Sequence, residues 1–143
     1  MTLYVVDANV VAKWFLPERL SEQAISLLDE KHELASPDLL WPEIGNVLWQ
    51  KARAAEITDG DAARIVRALY DCPVTVFPSR PLIEGALEIA LRTGRTVYDS
   101  VYLALAVALE CRLVTADERL VNALTGSSLA AHVMWVGAPA ELL

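Results

Sequence analysis

Leu3-Tyr4-Val5-Val6-Asp7-Ala8-Asn9-Val10-Val11-Ala12-Lys13-Trp14-Phe15-Leu16 joins two kinds of pattern without a linker. Leu3–Val6 is a short continuous apolar run, the signature of a strand buried on both faces. Asn9–Leu16 reads as a helix, stopped by Pro17. Working outward, similar units recur. Ser21–Lys31 reads as a second helix with Ser21 as its N-cap. A brief apolar link around Leu34-Ala35 follows, and then a helix from Pro37 or Leu39 to Ala55. Thr58–Tyr70 is a helix opened by Thr58-x-x-Asp61, close to a capping box. Val74–Phe77 is β-branched and aromatic, hence a strand, and Pro81–Arg92 is a helix closed by Gly94 at its C′ position. Thr96–Glu110 is a helix, Leu113–Thr115 a strand, Asp117–Leu124 a helix and His132–Val136 a last strand. Because helices separate nearly all the strands, the connections must be crossovers and the sheet parallel. The expected class is α/β, a three-layer α/β/α sandwich with a parallel sheet of four to five strands.

Composition narrows the function classes. At 143 residues and 55% apolar content the chain reads as one domain, residues 1–143, large enough to bury its own core. That content excludes intrinsic disorder, and 6 glycines and 7 prolines exclude collagen-like sequence. Cys72 and Cys111 lie in no metal-ligand spacing, so neither a disulfide framework nor a zinc knuckle is expected. Met1–Val6 has no basic segment of a signal peptide, and the longest apolar run, 101–109, is far below the about 20 residues that span a bilayer. These features predict a cytoplasmic protein without a membrane partner. The formal charge of -7 argues against a generic nucleic-acid coat. It does not argue against a site whose acids hold metal ions, since a bound divalent cation inverts the local charge logic.

The glycines at 45, 60, 85, 94, 126 and 137 form neither GxGxxG nor GxxxxGK, which leaves a nucleotide phosphate cradle without support. His32 and His132 sit in no nucleophile motif and read as surface or strand-end residues. The acids are more informative. Asp7 ends the first strand and Asp117 follows a later one, 110 positions on. In an open parallel sheet both ends lie on the carboxyl edge, where ligands bind at the topological switch point. Asp99 falls in the first turn of a helix apolar on every face, so its carboxylate needs a partner, a cap or a metal. Glu43 lies one step from the stripe Leu40, Ile44, Val47 and Leu48, at the margin of the core. Each also has a plain structural reading. Asp7 and Asp117 suit helix N-caps, Asp99 complements a helix dipole, and Glu43 suits a solvated flank. Four carboxylates sharing one edge would repel and take up protons, unless hard divalent cations occupied the gap.

At these residues the chain resembles the PIN-domain family and, within it, the VapC-type toxins of bacterial toxin–antitoxin pairs. The resemblance is carried by 5–15, by Ser36-Pro37-Asp38-Leu39-Leu40-Trp41-Pro42-Glu43, by Thr96-Val97-Tyr98-Asp99-Ser100-Val101-Tyr102-Leu103-Ala104-Leu105-Ala106 and by Leu113-Val114-Thr115-Ala116-Asp117-Glu118-Arg119-Leu120. It implies a PIN-like fold and a ribonuclease that cuts RNA with Mg²⁺ or Mn²⁺ and is inhibited by a cognate VapB-type antitoxin. A homodimer and a larger toxin–antitoxin complex are implied with it. Position by position, Asp7 and Asp99 match the primary metal ligands, Glu43 completes the first-metal site directly or through water, and Asp117 is the fourth acid. Asn9 and Thr115 match polar positions that line or brace such sites. Some relatives carry a further acid after the fourth; Val121 and Asn122 stand there instead.

Metal-activated water needs no histidine base, and the expected products carry a 5′-phosphate and a 3′-hydroxyl. Lys13, Arg95 and Arg119 are candidates to hold the RNA backbone, with solvated helix positions as the plain reading. Trp14, Phe15 and Trp41 suit an antitoxin groove or dimer contact, or simply core, and Tyr98 and Tyr102 read as packing. Three rivals remain. A haloacid-dehalogenase-like phosphatase needs a second Asp two residues after the first, where Asn9 stands. A phospho-receiver domain needs an extra acidic pair and a late Lys, yet none follows Lys51. A non-catalytic regulatory module is compatible with all four acids. Assigning four acids to one site takes the balance from -7 to -3. With so modest a basic surface, RNA binding is expected to be weak without metal, and a basic antitoxin segment is expected to compete for the acids.

Overall fold

The computed structural model describes residues 1–138. In chain order the elements are β1 (Thr2–Val6), α1 (Ala8–Ala12), α2 (Ser21–Ser26), β2 (His32–Pro37), α3 (Leu40–Arg53), α4 (Asp59–Leu69), β3 (Val74–Phe77), α5 (Ile83–Thr93), α6 (Val97–Ala108), β4 (Arg112–Thr115), α7 (Glu118–Leu124) and β5 (Val133–Trp135). Short 3₁₀ turns at Arg80–Leu82 and Ser128–His132 lead into α5 and β5. The five strands form one sheet in the order β3-β2-β1-β4-β5, and every neighbouring pair is parallel. The chain therefore winds outward from β1 to β3, crosses back, and continues from β4 to β5. The switch point lies between β1 and β4.

Alternation along the strands creates the three layers. Tyr4 and Val6 of β1, Leu34 of β2 and Val114 of β4 join a core with residues of α1, α2, α3 and α4. Val5, Ala35 and Leu113 point the other way, into a core filled by α5, α6 and α7. Pairing preserves this division, since Val5 lies opposite both Ala35 and Leu113 while Val6 lies opposite Val114. Helix α6 is buried continuously from Ser100 to Ala106, in keeping with its all-round apolar sequence.

The segment expected to be a link around Leu34-Ala35 is the six-residue strand β2, paired on both sides. Its polar residues hide it from a pattern of apolar runs. The Ser36 hydroxyl, fully buried, donates to Val6 O at 2.9 Å, and His32 packs edge-on against Tyr4 with ring centroids 5.5 Å apart. Pro37 closes the strand, at an end position where a missing N–H is tolerated. Ser21 is not an N-cap either. Leu20 holds that position in the left-handed region (φ 71°), and the Ser21 hydroxyl instead bonds Leu16 O and Glu18 N–H. Helices α1 and α2 end earlier than expected, at Ala12 and Ser26, as the chain tightens into turns. The Thr58/Asp61 capping box is present with both bonds at 3.0 Å, and Gly94 ends α5 in the left-handed region at φ 74°.

Leu103, fully buried in the centre of α6, offers a test of this layering. Leu103→Ala is expected to cost about 2–5 kcal/mol of stability, measured by urea unfolding; a loss below about 1 kcal/mol would place α6 outside the core.

Candidate functional site

The carboxyl edge gathers all four predicted acids, each delivered by a different element. Asp7 stands between β1 and α1. Its Oδ1 accepts from Val10 N–H at 2.9 Å, and its Oδ2 accepts from the Thr115 hydroxyl at 2.7 Å. Asp117 follows β4 and caps α7, accepting from Leu120 N–H at 3.2 Å. Both residues are thus helix N-caps as their plain reading held, but each spends only one oxygen on its cap. Thr115 ties the two sides of the switch point together, because its Oγ1 also accepts from Asp117 N–H at 3.0 Å. Thr96 caps α6 by accepting from Asp99 N–H at 3.1 Å, which leaves the Asp99 carboxylate unused by the helix. Glu43, in the first turn of α3, accepts from the hydroxyl of Tyr102 at 3.0 Å.

Charge links these groups. Burial pushes the Asp7 carboxyl up to about 6, and the Asp99 charge adds to the rise; Val10 N–H, the Thr115 hydroxyl and the Lys13 charge oppose it. Glu43 is raised by burial first, then by the charges of Asp7 and Asp99, against the Tyr102 hydrogen bond. Asp99 and Asp117 share the Arg95 guanidinium, whose Nη2 lies 3.3 Å from Asp99 Oδ2 and 2.7 Å from Asp117 Oδ2. The edge is therefore short of positive charge at Asp7 and Glu43, and partly supplied with it at Asp99 and Asp117.

An all-carboxylate donor set of this kind suits a hard, oxygen-seeking divalent cation. Among the described residues, no three His, Cys, Asp or Glu side chains are drawn tightly enough together to hold one as they stand. Two of the four acids face Arg95 instead.

Other predicted residues fall differently. Asn9 is exposed in the first turn of α1, beside Asp7 in sequence but without a hydrogen bond to the acids. Lys13 is engaged by Glu18 at 2.9 Å, and Arg119 is exposed at the start of α7. Trp14 packs against the first core and donates its indole N–H to Ala24 O at 2.8 Å, which makes it structural. Phe15 and Trp41 pack against the same core, and Trp41 also meets Tyr70. The histidines stand apart from the acids: His32 begins β2, while His132 precedes β5 with Nδ1 2.9 Å from Cys111 O.

Of the two tyrosines expected to pack, Tyr102 does so in the second core and Tyr98 does not. Tyr98 is exposed, so it is no packing partner for Tyr102. Tyr102 is buried and directs its hydroxyl at Glu43; burial and the Glu43 charge hold that phenol well above its ordinary pKa, fixing it as a donor. Its position three residues after Asp99, one turn along the same helix, was the available signal. Arg95, a candidate to hold the RNA backbone, instead has its guanidinium bound to the acids themselves.

The PIN domain family model matches residues 4–123. The chain belongs to the PIN domain family. It is similar to Ribonuclease VapC3 of Pyrobaculum aerophilum, 34% identical over 118 residues, which cover 81% of this chain and 90% of that protein. Among solved structures it is similar to PAE2754 of Pyrobaculum aerophilum, with a TM-score of 0.70, 26% identity, and coverage of 94% of this chain and 84% of that one. The fold is also shared with a chain of a toxin–antitoxin complex from Klebsiella pneumoniae, with a TM-score of 0.62, 18% identity, and coverage of 94% and 96%. This PIN membership sets aside the dehalogenase-like and phospho-receiver readings.

The raised pKa of Asp7 has a sign that can be measured. Folded, Asp7 holds its proton more tightly than the ordinary value of 3.8, up to about 6, so its contribution to stability falls as pH rises through that window. Asp7→Asn keeps a capping oxygen and removes the titration. In EDTA, the melting temperature of Asp7→Asn relative to wild type is expected to rise from about pH 4 to about pH 7. A difference flat with pH would show that the charge of Asp7 is not under strain.

Proposed function

We propose that this PIN-domain chain is a metal-dependent ribonuclease, the toxin of a VapBC-type pair, in which Asp7, Glu43, Asp99 and Asp117 form the catalytic metal site. The observation that carries this reading is the convergence of four carboxylates from four separate elements on the β1/β4 switch point, with Asp7 and Glu43 raised by burial and by neighbouring negative charge. Such a cluster destabilises the folded chain unless a cation answers it. The name of the similar VapC3 protein supports RNA as the substrate class. Mg²⁺ or Mn²⁺ is the cofactor proposed, because the donors are carboxylate oxygens and no Cys or His stands among them.

When bound, such a cation supplies a water of lowered pKa and offsets charge on the phosphoryl oxygens. The chain's own residues prepare the place for it. Thr115 fixes the orientation of Asp7 and braces Asp117 from one hydroxyl, and Asp99 stands on the rigid, buried helix α6. Tyr102 holds Glu43 through a hydrogen bond that favours its ionised form. Asn9 and Arg119, both exposed and close in sequence to Asp7 and Asp117, are the polar and basic groups proposed to meet the RNA there.

A VapB-type antitoxin is the proposed partner, by likeness to a chain held in a toxin–antitoxin complex, together with a homodimer and the larger assembly the resemblance implies. No helix among the described residues is long and apolar enough to cross a membrane, and action in the cytoplasm, where RNA and antitoxin meet, is proposed with the rest.

Cleavage of RNA by the purified chain is expected with Mg²⁺ or Mn²⁺ and not with EDTA, leaving 5′-phosphate and 3′-hydroxyl ends. Asp7→Asn and Asp99→Asn are each expected to reduce it by more than about 100-fold, since outer partners of metal ligands alone are worth 10–100-fold. Metal-independent cleavage or 2′,3′-cyclic phosphate ends would overturn the mechanism, and the absence of any cleavage would favour a non-catalytic module.

Tyr102→Phe is expected to retain the fold and to move the acidic limb of the pH–rate profile to higher pH, because Glu43 loses the bond that lowers its pKa. An unmoved limb would remove Tyr102 from the site.

A further inference from the structure

Arg95 enters the site by a route the rest of the edge does not use. Gly94 turns the chain out of α5 in the left-handed region, and Arg95 follows one residue before the Thr96 cap of α6. Its backbone N–H donates to Thr93 Oγ1 at 3.2 Å, which ties the short loop down. The side chain is only 25% exposed and reaches across to Asp99 and Asp117 together.

The way it holds them is uneconomical. A guanidinium offers five donors in a planar fork, and its strong pairings with carboxylates use two parallel N–H···O bonds. Here Nη2 alone serves both carboxylates. The Nε–H is buried without an acceptor among the described residues, a donor stripped of water and left unpaid by any bond. The attachment is thus electrostatically favourable but geometrically poor. It also draws on Asp99 Oδ2 and Asp117 Oδ2, oxygens of two of the four acids assigned to the cation. A hard divalent ion requires close contact with such oxygens, and a fixed positive charge beside them disfavours its entry.

We propose that Arg95 is an internal counter-cation that occupies Asp99 and Asp117 in the metal-free chain, competes with the divalent ion for them, and is displaced when the ion binds. This rests on the metal-site reading above. Arg95 is then a positioning residue with two opposed effects: it stabilises the metal-free protein and weakens its affinity for metal. It also accounts for the open arrangement of the four acids, two of which are turned toward the guanidinium.

The test is Mn²⁺ binding by isothermal titration calorimetry in the absence of RNA, with thermal unfolding in EDTA and in saturating Mn²⁺. Arg95→Met keeps the apolar stem and removes the charge, Arg95→Lys keeps a charge, and Arg95→Gln is a second neutral variant should the methionine variant not fold. The neutral variants are expected to bind Mn²⁺ about 5- to 30-fold more tightly than wild type, the range set by losing two half-exposed pairs, with Arg95→Lys between them and wild type. They are also expected to melt lower in EDTA at about pH 7.5, with the deficit closed by saturating Mn²⁺. Equal or weaker Mn²⁺ binding by the neutral variants, beside a clear wild-type isotherm, would overturn the role of Arg95 and leave the metal site standing. No Mn²⁺ binding by wild type, or binding unchanged in Asp99→Asn, would overturn the metal site and this proposal with it.

Discussion

Mutual repulsion among carboxylates at one partly buried sheet edge is the constraint to which the rest of this molecule answers. Left alone, such a cluster protonates or pushes apart. Three devices hold it. Helix N-termini draw Asp7 and Asp117 to fixed places through the backbone N–H groups of Val10 and Leu120. Hydroxyl groups of Thr115 and Tyr102 satisfy further lone pairs. The Arg95 guanidinium supplies positive charge to the two acids that lack a hydroxyl partner. Burial first, and then the repulsion left uncompensated, raises the pKa of Asp7 and Glu43.

The fold makes this concentration possible because a parallel sheet presents all of its strand ends on the same side. β1 and β4 lie side by side although more than a hundred residues separate them, and the crossover between β3 and β4 passes through α5 and α6, which sets Asp99 at the start of the second helix. Helix α3, which follows β2, brings Glu43 to the same edge and packs beside α1. The acids therefore stand on rigid elements rather than on long loops, the condition for holding a reactive geometry. Histidines and cysteines take no part in this cluster; both cysteines are free, His32 begins β2 and His132 ends the turn before β5.

Legibility followed the kind of signal each residue carries. The strands β1, β3, β4 and β5 announce themselves as short apolar or β-branched runs, and Thr58/Asp61 and Gly94 as caps. β2 does not, because its buried polar residues find partners distant in sequence: the Ser36 hydroxyl donates to Val6 O, and the His32 ring packs edge-on against Tyr4. Ser21 looked like a cap because Ser favours that position, but the tight turn from Leu16 to Leu20 claimed its hydroxyl. For Tyr102, an apolar helix concealed a hydroxyl that points at Glu43. Arg95 looked like any surface arginine next to a helix.

Sequence by itself determined the α/β class, the order of most elements, the four acids and their family resemblance, because these depend on local periodicity, strand-end position and motif spacing. Only the tertiary structure decided the strand order and the interior place of β2 between β1 and β3, since pairing is a choice among partners that local pattern does not rank. It also decided how the acids are held: which oxygen caps a helix, which meets Thr115 or Tyr102, and that Arg95 lies between Asp99 and Asp117. Those contacts span 22 to 108 positions for Arg95–Asp117, Glu43–Tyr102 and Asp7–Thr115. Hydrogen bonds and ion pairs act over a few ångströms, so their partners are set by where the sheet brings the chain back together, not by neighbourhood along it.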